Sequence, residues 1–195
     1  MNSPALPLIL ASASPRRAEL MKLTGIPFQV EPARIREDFH NGDDPADLAE
    51  TYAAAKARVI AKRFPDRLVV GADTIVVLDG HILGKPADRE AAIRMLQALS
   101  GRTHTVITGL ALTWQRQHVQ RVDHVSTDVT FYALSEDEIR YYVDHYRPFD
   151  KAGSYGIQDW FAQRVRHISG CFYNVVGFPL SRFYEHYRSI LVTQE

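Results

Sequence analysis

The stretch RLVVGADTIVVLDGHILGKP, Arg67 to Pro86, decides the fold. Two runs rich in Val, Ile and Leu flank Asp79-Gly80, and that dipeptide between apolar runs is the commonest two-residue hairpin signal. A two-residue turn sets the register, with Thr74 opposite Lys85. Asp73 stands inside the first run, where a carboxylate is expensive to bury without partners. Lys85, one position from Asp73 at the strand end, is the cation this register offers. The carboxylate then reads in two ways: a structural salt bridge at the sheet edge, or a group that binds a metal or activates water, with Lys85 on phosphates. GHILGKP is not a P-loop, because its spacing is one residue short, proline replaces the Ser or Thr, and its lysine lies on a hairpin.

Outward from the hairpin, helices alternate with strands. Leu6 to Ala11 is a buried strand in type, and Ser14-Pro15 opens a helix that stops near Gly25 and Pro27. Phe28 to Glu31 is a second short strand. NGDDPADLAE, residues 41–50, is a turn and a helix start, and the helix runs from about Pro45 to Arg63. Beyond the hairpin, Asp88 caps a helix to about Leu99, ended by Ser100-Gly101. Thr103 to Trp114 and Val119 to Tyr132, rich in Val, Ile and Thr, are expected as antiparallel neighbours. Ser135 and Glu138 have capping-box spacing. Two strand-like pieces follow, Arg164 to Ile168 and Phe172 to Val176, with Cys171 read as a core residue in an apolar strand. A last helix begins after Pro179. Such alternation predicts an α/β or α+β fold on a mixed, twisted sheet.

Two further places break local rules. Ser14 as cap and Pro15 at the first helical position put Arg16 and Arg17 at the positive end of the helix dipole, where cations cost about 0.3–1 kcal/mol each. Either they swing into solvent, or the two-serine loop and helix start cradle an anion, a bound phosphate supplying the missing charge. On the helix after Pro45, helical spacing puts Leu48, Tyr52, Ala55, Val59 and Ile60 on one apolar arc, and Lys56 falls inside it. Lys56 either snorkels or reaches along the core edge to an anion.

The chain has 195 residues, enough for one substantial core or two small lobes sharing a cleft. Lys plus Arg and Asp plus Glu each number 23, so the formal charge is zero and anion binding must be local. One cysteine, Cys171, excludes an intrachain disulfide and a cysteine-based zinc site, and suits a reducing cytosol. The eight histidines show no helical i, i+4 pair for zinc and read as surface or core polar residues. The N-terminus MNSPALPLIL lacks a basic n-region and a long apolar core, so the expectation is a cytoplasmic protein, neither secreted nor membrane-spanning.

Together, LASASPRRAELM, Lys56 with Ala57, GADTIVVLDGHILGKP, LSGRTHTVITGLAL, DKAGSYGIQ and YNVVGFPL closely resemble the Maf family of nucleoside triphosphate pyrophosphatases, from about Leu8 to Leu180. The resemblance implies one Maf-type domain over residues 1–195, with 1–5 a flexible tail. Its fold is α/β, related to the inosine triphosphate pyrophosphatases: a mixed twisted sheet flanked by helices, with two lobes around a nucleotide cleft. It implies hydrolysis of a nucleoside triphosphate between the α- and β-phosphates, a divalent cation (Mg²⁺ or Mn²⁺), and often a homodimer. No membrane and no stable nucleic-acid complex is expected.

Residue by residue, Asp73 matches the family's catalytic acidic residue, and Lys56 and Lys85 are catalytic candidates among its cationic cleft residues. Ser12, Ser14, Arg16 and Arg17 match substrate-binding positions; Glu37 aligns with a carboxylate that shares the metal with Asp73. AGSYGIQ resembles the branch acting on dTTP and UTP, in which Arg16, Thr74 and Gln158 match positions associated with base choice. A Gly commonly follows that Gln in the family, whereas here Asp159-Trp160 follows. The alternatives are the sister branch acting on 7-methyl-GTP, which typically has a KSEG-like segment in place of YGIQ, and a non-enzymatic nucleotide-binding regulator of septum formation.

Overall fold

The computed structural model describes residues 8–36 and 43–192. Seven strands, β1 (Leu8–Leu10), β2 (Phe28–Val30), β3 (Leu68–Leu78), β4 (His81–Leu83), β5 (Thr103–Trp114), β6 (Val119–Phe131) and β7 (Val165–Ser169), form one sheet. The order is β2-β1-β3-β5-β6-β7, with β4 paired to β3. β1 runs parallel to both β2 and β3, while β3–β4 and β6–β7 are antiparallel, so the sheet is mixed. Among the described residues six α-helices accompany it: α1 (Pro15–Lys22), α2 (Pro45–Arg63), α3 (Arg89–Leu99), α4 (Glu136–Tyr146), α5 (Phe172–Val176) and α6 (Leu180–Val192). No helix among the described residues is long and apolar enough to cross a membrane.

The chain divides into two compact units. The first comprises the described residues of Met1–Asp73, Thr108–Val125 and Gly177–Glu195. Its core joins Ile9 and Ala11, Val69 of β3, Ala111 of β5, and Ala53, Ala54, Ala57, Ile60 and Ala61 of α2. The helix lies very close to the strands: a Cβ on Gly71 would stand 2.3 Å from the Ala53 carbonyl oxygen, and one on Gly109 would stand 2.1 Å from that of Ala49. Glycine in the strands and alanine on the helix are what this approach requires. The buried face of α2 is therefore the alanine face with Tyr52 and Ile60, not the arc expected from the sequence. Val59 is exposed and Leu48 only half-buried. Lys56 stays within the buried face.

The second unit comprises Thr74–Ile107 and Ser126–Val176. The β3–β4 turn has Asp79 at φ 50° and Gly80 at φ 77°, the pair of left-handed residues a type I′ turn needs. Val76 faces Leu83 in the expected register, but the rungs end there. Lys85 lies past the strand, so Thr74 and Lys85 are not strand partners. Arg89 on α3 donates to both carboxylate oxygens of Asp144 on α4 at 2.6 and 2.9 Å. Ser135 and Glu138 form the capping box expected of α4.

Phe172–Val176, expected as a strand, is the short helix α5. An apolar run of this length does not distinguish strand from helix by periodicity. Here the N–H groups of Asn174 and Val175 donate to the Cys171 carbonyl at 3.1 and 3.3 Å, closing a turn. Buried Asn174 donates from its amide to the Val106 carbonyl at 2.9 Å and Thr127 Oγ1 at 3.0 Å, which anchors that turn. Cys171 lies outside any strand and is only half-buried, not a core residue.

Candidate active site

In the first unit, β1 and β3 run side by side, and the ladder continues one residue past β1 where the Ala11 N–H donates to the Val70 carbonyl at 2.7 Å. Ser12 lies just past the end of β1, the position where open α/β sheets place ligands, and Asp73 lies within β3, three residues beyond the last rung that β3 shares with β1 at Val70. Ser12 is buried, and its Oγ accepts from the Ser14 N–H at 3.1 Å and from Arg17 Nη1 at 3.4 Å. Ser14 caps α1, its hydroxyl accepting from the Arg17 N–H at 3.5 Å, with Pro15 at the start and no acidic residue in the first turn. Arg17 does not swing into solvent: its Nε donates to the Gly177 carbonyl at 2.8 Å. Arg16 is half-buried beside it.

The other two anomalies of the sequence prove to be each other's partners. Lys56 Nζ donates to Asp73 Oδ1 at 2.5 Å, with the residues only 8% and 6% exposed. The cation read from the hairpin for Asp73 was Lys85, which is exposed in the second unit. Lys56 does not snorkel, since its ammonium is buried against a carboxylate. A buried ion pair offsets its desolvation only with good geometry and further hydrogen bonds, so it marks a specific local requirement more than a source of stability.

A divalent cation of the Mg²⁺ or Mn²⁺ kind prefers carboxylate oxygen, and Asp73 offers such a donor with its charge already balanced by Lys56. Glu37 lies outside the described residues. Glu50, Asp123 and His124 also hold ligand atoms within 4.8 Å of one another, a grouping the helical-spacing test on histidines had no means of detecting. These side chains are engaged already: His124 Nδ1 lies 2.7 Å from Glu50 Oε1, and Arg182 Nη1 donates to Asp123 Oδ2. Although burial opposes it, the His124 N–H and Arg182 hold the Asp123 carboxyl below its usual range. This group fits an ion-pair network better than a metal.

In the second unit, Thr74 is half-buried and Gln158 exposed. Gln158 occupies a loop that starts with two left-handed residues, Gly153 at φ 70° and Ser154 at φ 63°. A Cβ on Gly153 would meet Val76 Cγ1 at 3.1 Å, so glycine is needed there for space as well as for backbone conformation. Tyr155, fully engaged in the core, has its hydroxyl 2.8 Å from Nε2 of His104. Tyr142 of α4 reaches this loop through its hydroxyl, and sequence reading passed over it, because an aromatic on an amphipathic helix reads as core.

The mixed sheet and flanking helices define an α/β protein. The chain belongs to the Maf family: the model for Maf-like proteins matches residues 7–190. It is 51% identical over 175 residues to a dTTP/UTP pyrophosphatase of Symbiobacterium thermophilum, covering 90% of this chain and 89% of that one. A dTTP/UTP pyrophosphatase of Koribacter versatilis is 47% identical over 93% of each chain. Among solved structures, the Staphylococcus aureus Ham1 protein matches at TM-score 0.46 and 12% identity, over 64% of this chain and 71% of that one.

Proposed function

We propose that this protein is a nucleoside triphosphate pyrophosphatase that hydrolyses dTTP and UTP to the monophosphate and pyrophosphate. The observation that carries the reading is the buried Lys56–Asp73 pair, a carboxylate kept in the interior within β3, three residues beyond its last rung with parallel β1. Relatives at 51% and 47% identity that are named dTTP/UTP pyrophosphatases support the substrate.

Asp73 orients the attacking water and takes up its proton as the new bond forms to the α-phosphorus. The bond from that phosphorus to the bridging oxygen breaks, and pyrophosphate leaves. A divalent cation held by Asp73, with Glu37, supplies charge neutralisation and polarises the phosphate when bound. Lys56 keeps the carboxylate oriented. Arg16, Arg17, Ser12, Ser14 and the N–H groups at the start of α1 bind phosphate oxygens, for which guanidinium groups and helix N-termini are suited. Lys85 is assigned to the phosphates, and Thr74 and Gln158 to the base, on the strength of the resemblance. A Gln amide donates to O4 of uracil or thymine while its carbonyl accepts from N3–H, and cytosine reverses both positions. A cytoplasmic setting, a homodimer and one family domain along the chain belong to the same proposal.

The test is pyrophosphate release across dTTP, UTP, dCTP, ATP, GTP and 7-methyl-GTP, by wild type and Asp73→Asn. Wild type is expected to favour dTTP and UTP. Asp73→Asn, with an amide of the same shape, is expected to fold and bind nucleotide yet lose most turnover. Near-wild-type release by a folded Asp73→Asn protein would remove Asp73 from the chemistry, and a preference for 7-methyl-GTP would move the chain to the other branch.

A further inference from the structure

The segment Gly156 to Asp159 is a four-residue turn in which the Asp159 N–H donates to the Gly156 carbonyl at 3.4 Å. Ile157 and Gln158 are its central residues. Ile157 points into the core, 6% exposed, and Gln158 stands exposed at the tip. A second connection closes the turn from beneath. The Gly156 N–H donates to the Tyr142 hydroxyl oxygen at 2.9 Å, and that hydroxyl donates to Asp159 Oδ2 at 3.1 Å. Both ends of the turn are thus stapled to one fully buried side chain on α4.

Other features lock the same chain of bonds. Asp159 Oδ1 accepts from the Phe161 N–H at 3.0 Å, so one carboxylate both starts the 3₁₀ turn Trp160–Arg164 and receives the tyrosine. A Cβ on Gly156 would stand 2.5 Å from Asp159 Oδ2, so the carboxylate fills space that only glycine leaves. Trp160 stacks on Tyr142 with ring centroids 5.9 Å apart, and Arg164 lies over Trp160 at 5.0 Å. Burial first, and then the Asp159 charge, push the Tyr142 hydroxyl well above its usual pKa, so it keeps the proton it donates. Asp159 follows Gln158 where the family commonly has a glycine, and this departure has a structural use.

We propose that Tyr142 and Asp159 are positioning residues for base selection: the Gly156–Tyr142–Asp159 hydrogen-bond chain fixes the turn that presents Gln158 to the pyrimidine edge. The inference rests on the proposed role of Gln158. A reader of hydrogen-bond pattern discriminates only when its amide is held in one orientation, because a mobile amide adapts to the wrong base as well as to the right one. Tyr142→Phe removes one oxygen inside the core and Asp159→Ala removes the carboxylate. Each is expected to narrow the ratio of kcat/KM for dTTP over dCTP by roughly fivefold, mainly through KM for dTTP.

The experiment measures kcat and KM for dTTP, UTP and dCTP in wild type, Tyr142→Phe, Asp159→Ala, Gln158→Leu and Tyr142→Phe/Gln158→Leu, with a thermal melt of each. Support consists of a narrowed ratio in both positioning variants and no further narrowing when Tyr142→Phe is added to Gln158→Leu. Equal losses for all three nucleotides, tracking the melting temperature, would show a purely structural role and overturn the inference. If Gln158→Leu narrows the ratio but Tyr142→Phe and Asp159→Ala do not, the inference alone falls. If Gln158→Leu leaves the ratio unchanged, the reading of Gln158 falls and the inference with it.

Discussion

Lys56 and Asp73 meet at 2.5 Å where both side chains are about nine-tenths buried, with side-chain exposures of 11% and 9%. Breaking a buried ion pair by removing one member costs about 3–5 kcal/mol. Lys56→Met should lose stability of that order in urea denaturation at neutral pH, even though methionine suits an apolar face and a helix. Lys56→Met with Asp73→Leu removes both charges and should recover most of the loss while pyrophosphate release stays abolished. A single variant as stable as wild type would show that another cation compensates Asp73. A second buried group sets a pH dependence. His104 is 2% exposed, its Nε2 faces the Tyr155 hydroxyl, and its Nδ1 has no hydrogen-bond partner among the described residues. Burial pushes its pKa from 6.5 down to about 4, with Asp128 opposing. Between those two values the unfolded chain takes up a proton that the folded protein refuses, so stability falls as the pH is lowered through that window and is intact above it. About 2 kcal/mol of the stability difference between pH 7 and pH 5 should be absent in His104→Phe, as read from urea midpoints at each pH.

At the scale of elements, α2 sets where Lys56 sits, and the helix in turn rests on two strand glycines. Gly71→Ala would place a methyl 2.3 Å from the Ala53 carbonyl oxygen, so the helix must move outward. The expected cost is about 1–3 kcal/mol, with kcat reduced because the shift carries Lys56 relative to Asp73. Unchanged stability and turnover in Gly71→Ala would mean that the helix has more freedom than the close approach allows. The boundaries of α2, Pro45–Arg63, were legible because Pro, an acidic cap and a terminal basic pair mark them. Its face was not. Leu48 and Val59 outweigh alanine on a hydrophobicity scale, whereas the sheet selects side chains by size; the glycines of β3 and β5 carried that signal. Likewise the turn at Asp79-Gly80 fixed the β3–β4 register, yet nothing in the local pattern showed that β4 would stop at Leu83. Phe172–Val176 was misread because its conformation is set by Asn174 reaching Val106 and Thr127, contacts 68 and 47 residues away in the chain. Of the site, the unusual residues were each visible as violations of local rules, but their pairing was not: Asp73 and Lys56 are 17 residues apart and only the packing of α2 on β3 joins them.

For the molecule as a whole, the separate question is whether the proposed metal serves the fold or only the reaction. A protein that needs a cation to fold gathers charged ligands that repel one another until the metal arrives, and a chelator then unfolds it. Here the buried carboxylate assigned to the metal is already balanced by an ammonium, and the other grouping of ligand atoms is closed by Arg182 and by the Glu50–His124 contact. Neither arrangement leaves the fold waiting for a cation. Net charge points the same way: with 23 basic and 23 acidic side chains, the chain carries no excess negative charge for a metal to relieve. Treatment with a chelator is therefore expected to abolish pyrophosphate release from dTTP while the melting temperature changes by less than about 2 °C, within the shift that under 1 kcal/mol produces in a chain of this size. Adding Mg²⁺ or Mn²⁺ should restore turnover at once, without a refolding phase. Full activity in the presence of chelator would remove the metal from the proposed chemistry. A large fall in melting temperature would show instead that a cation is part of the folded structure, and that the balance between Lys56 and Asp73 is not sufficient without it.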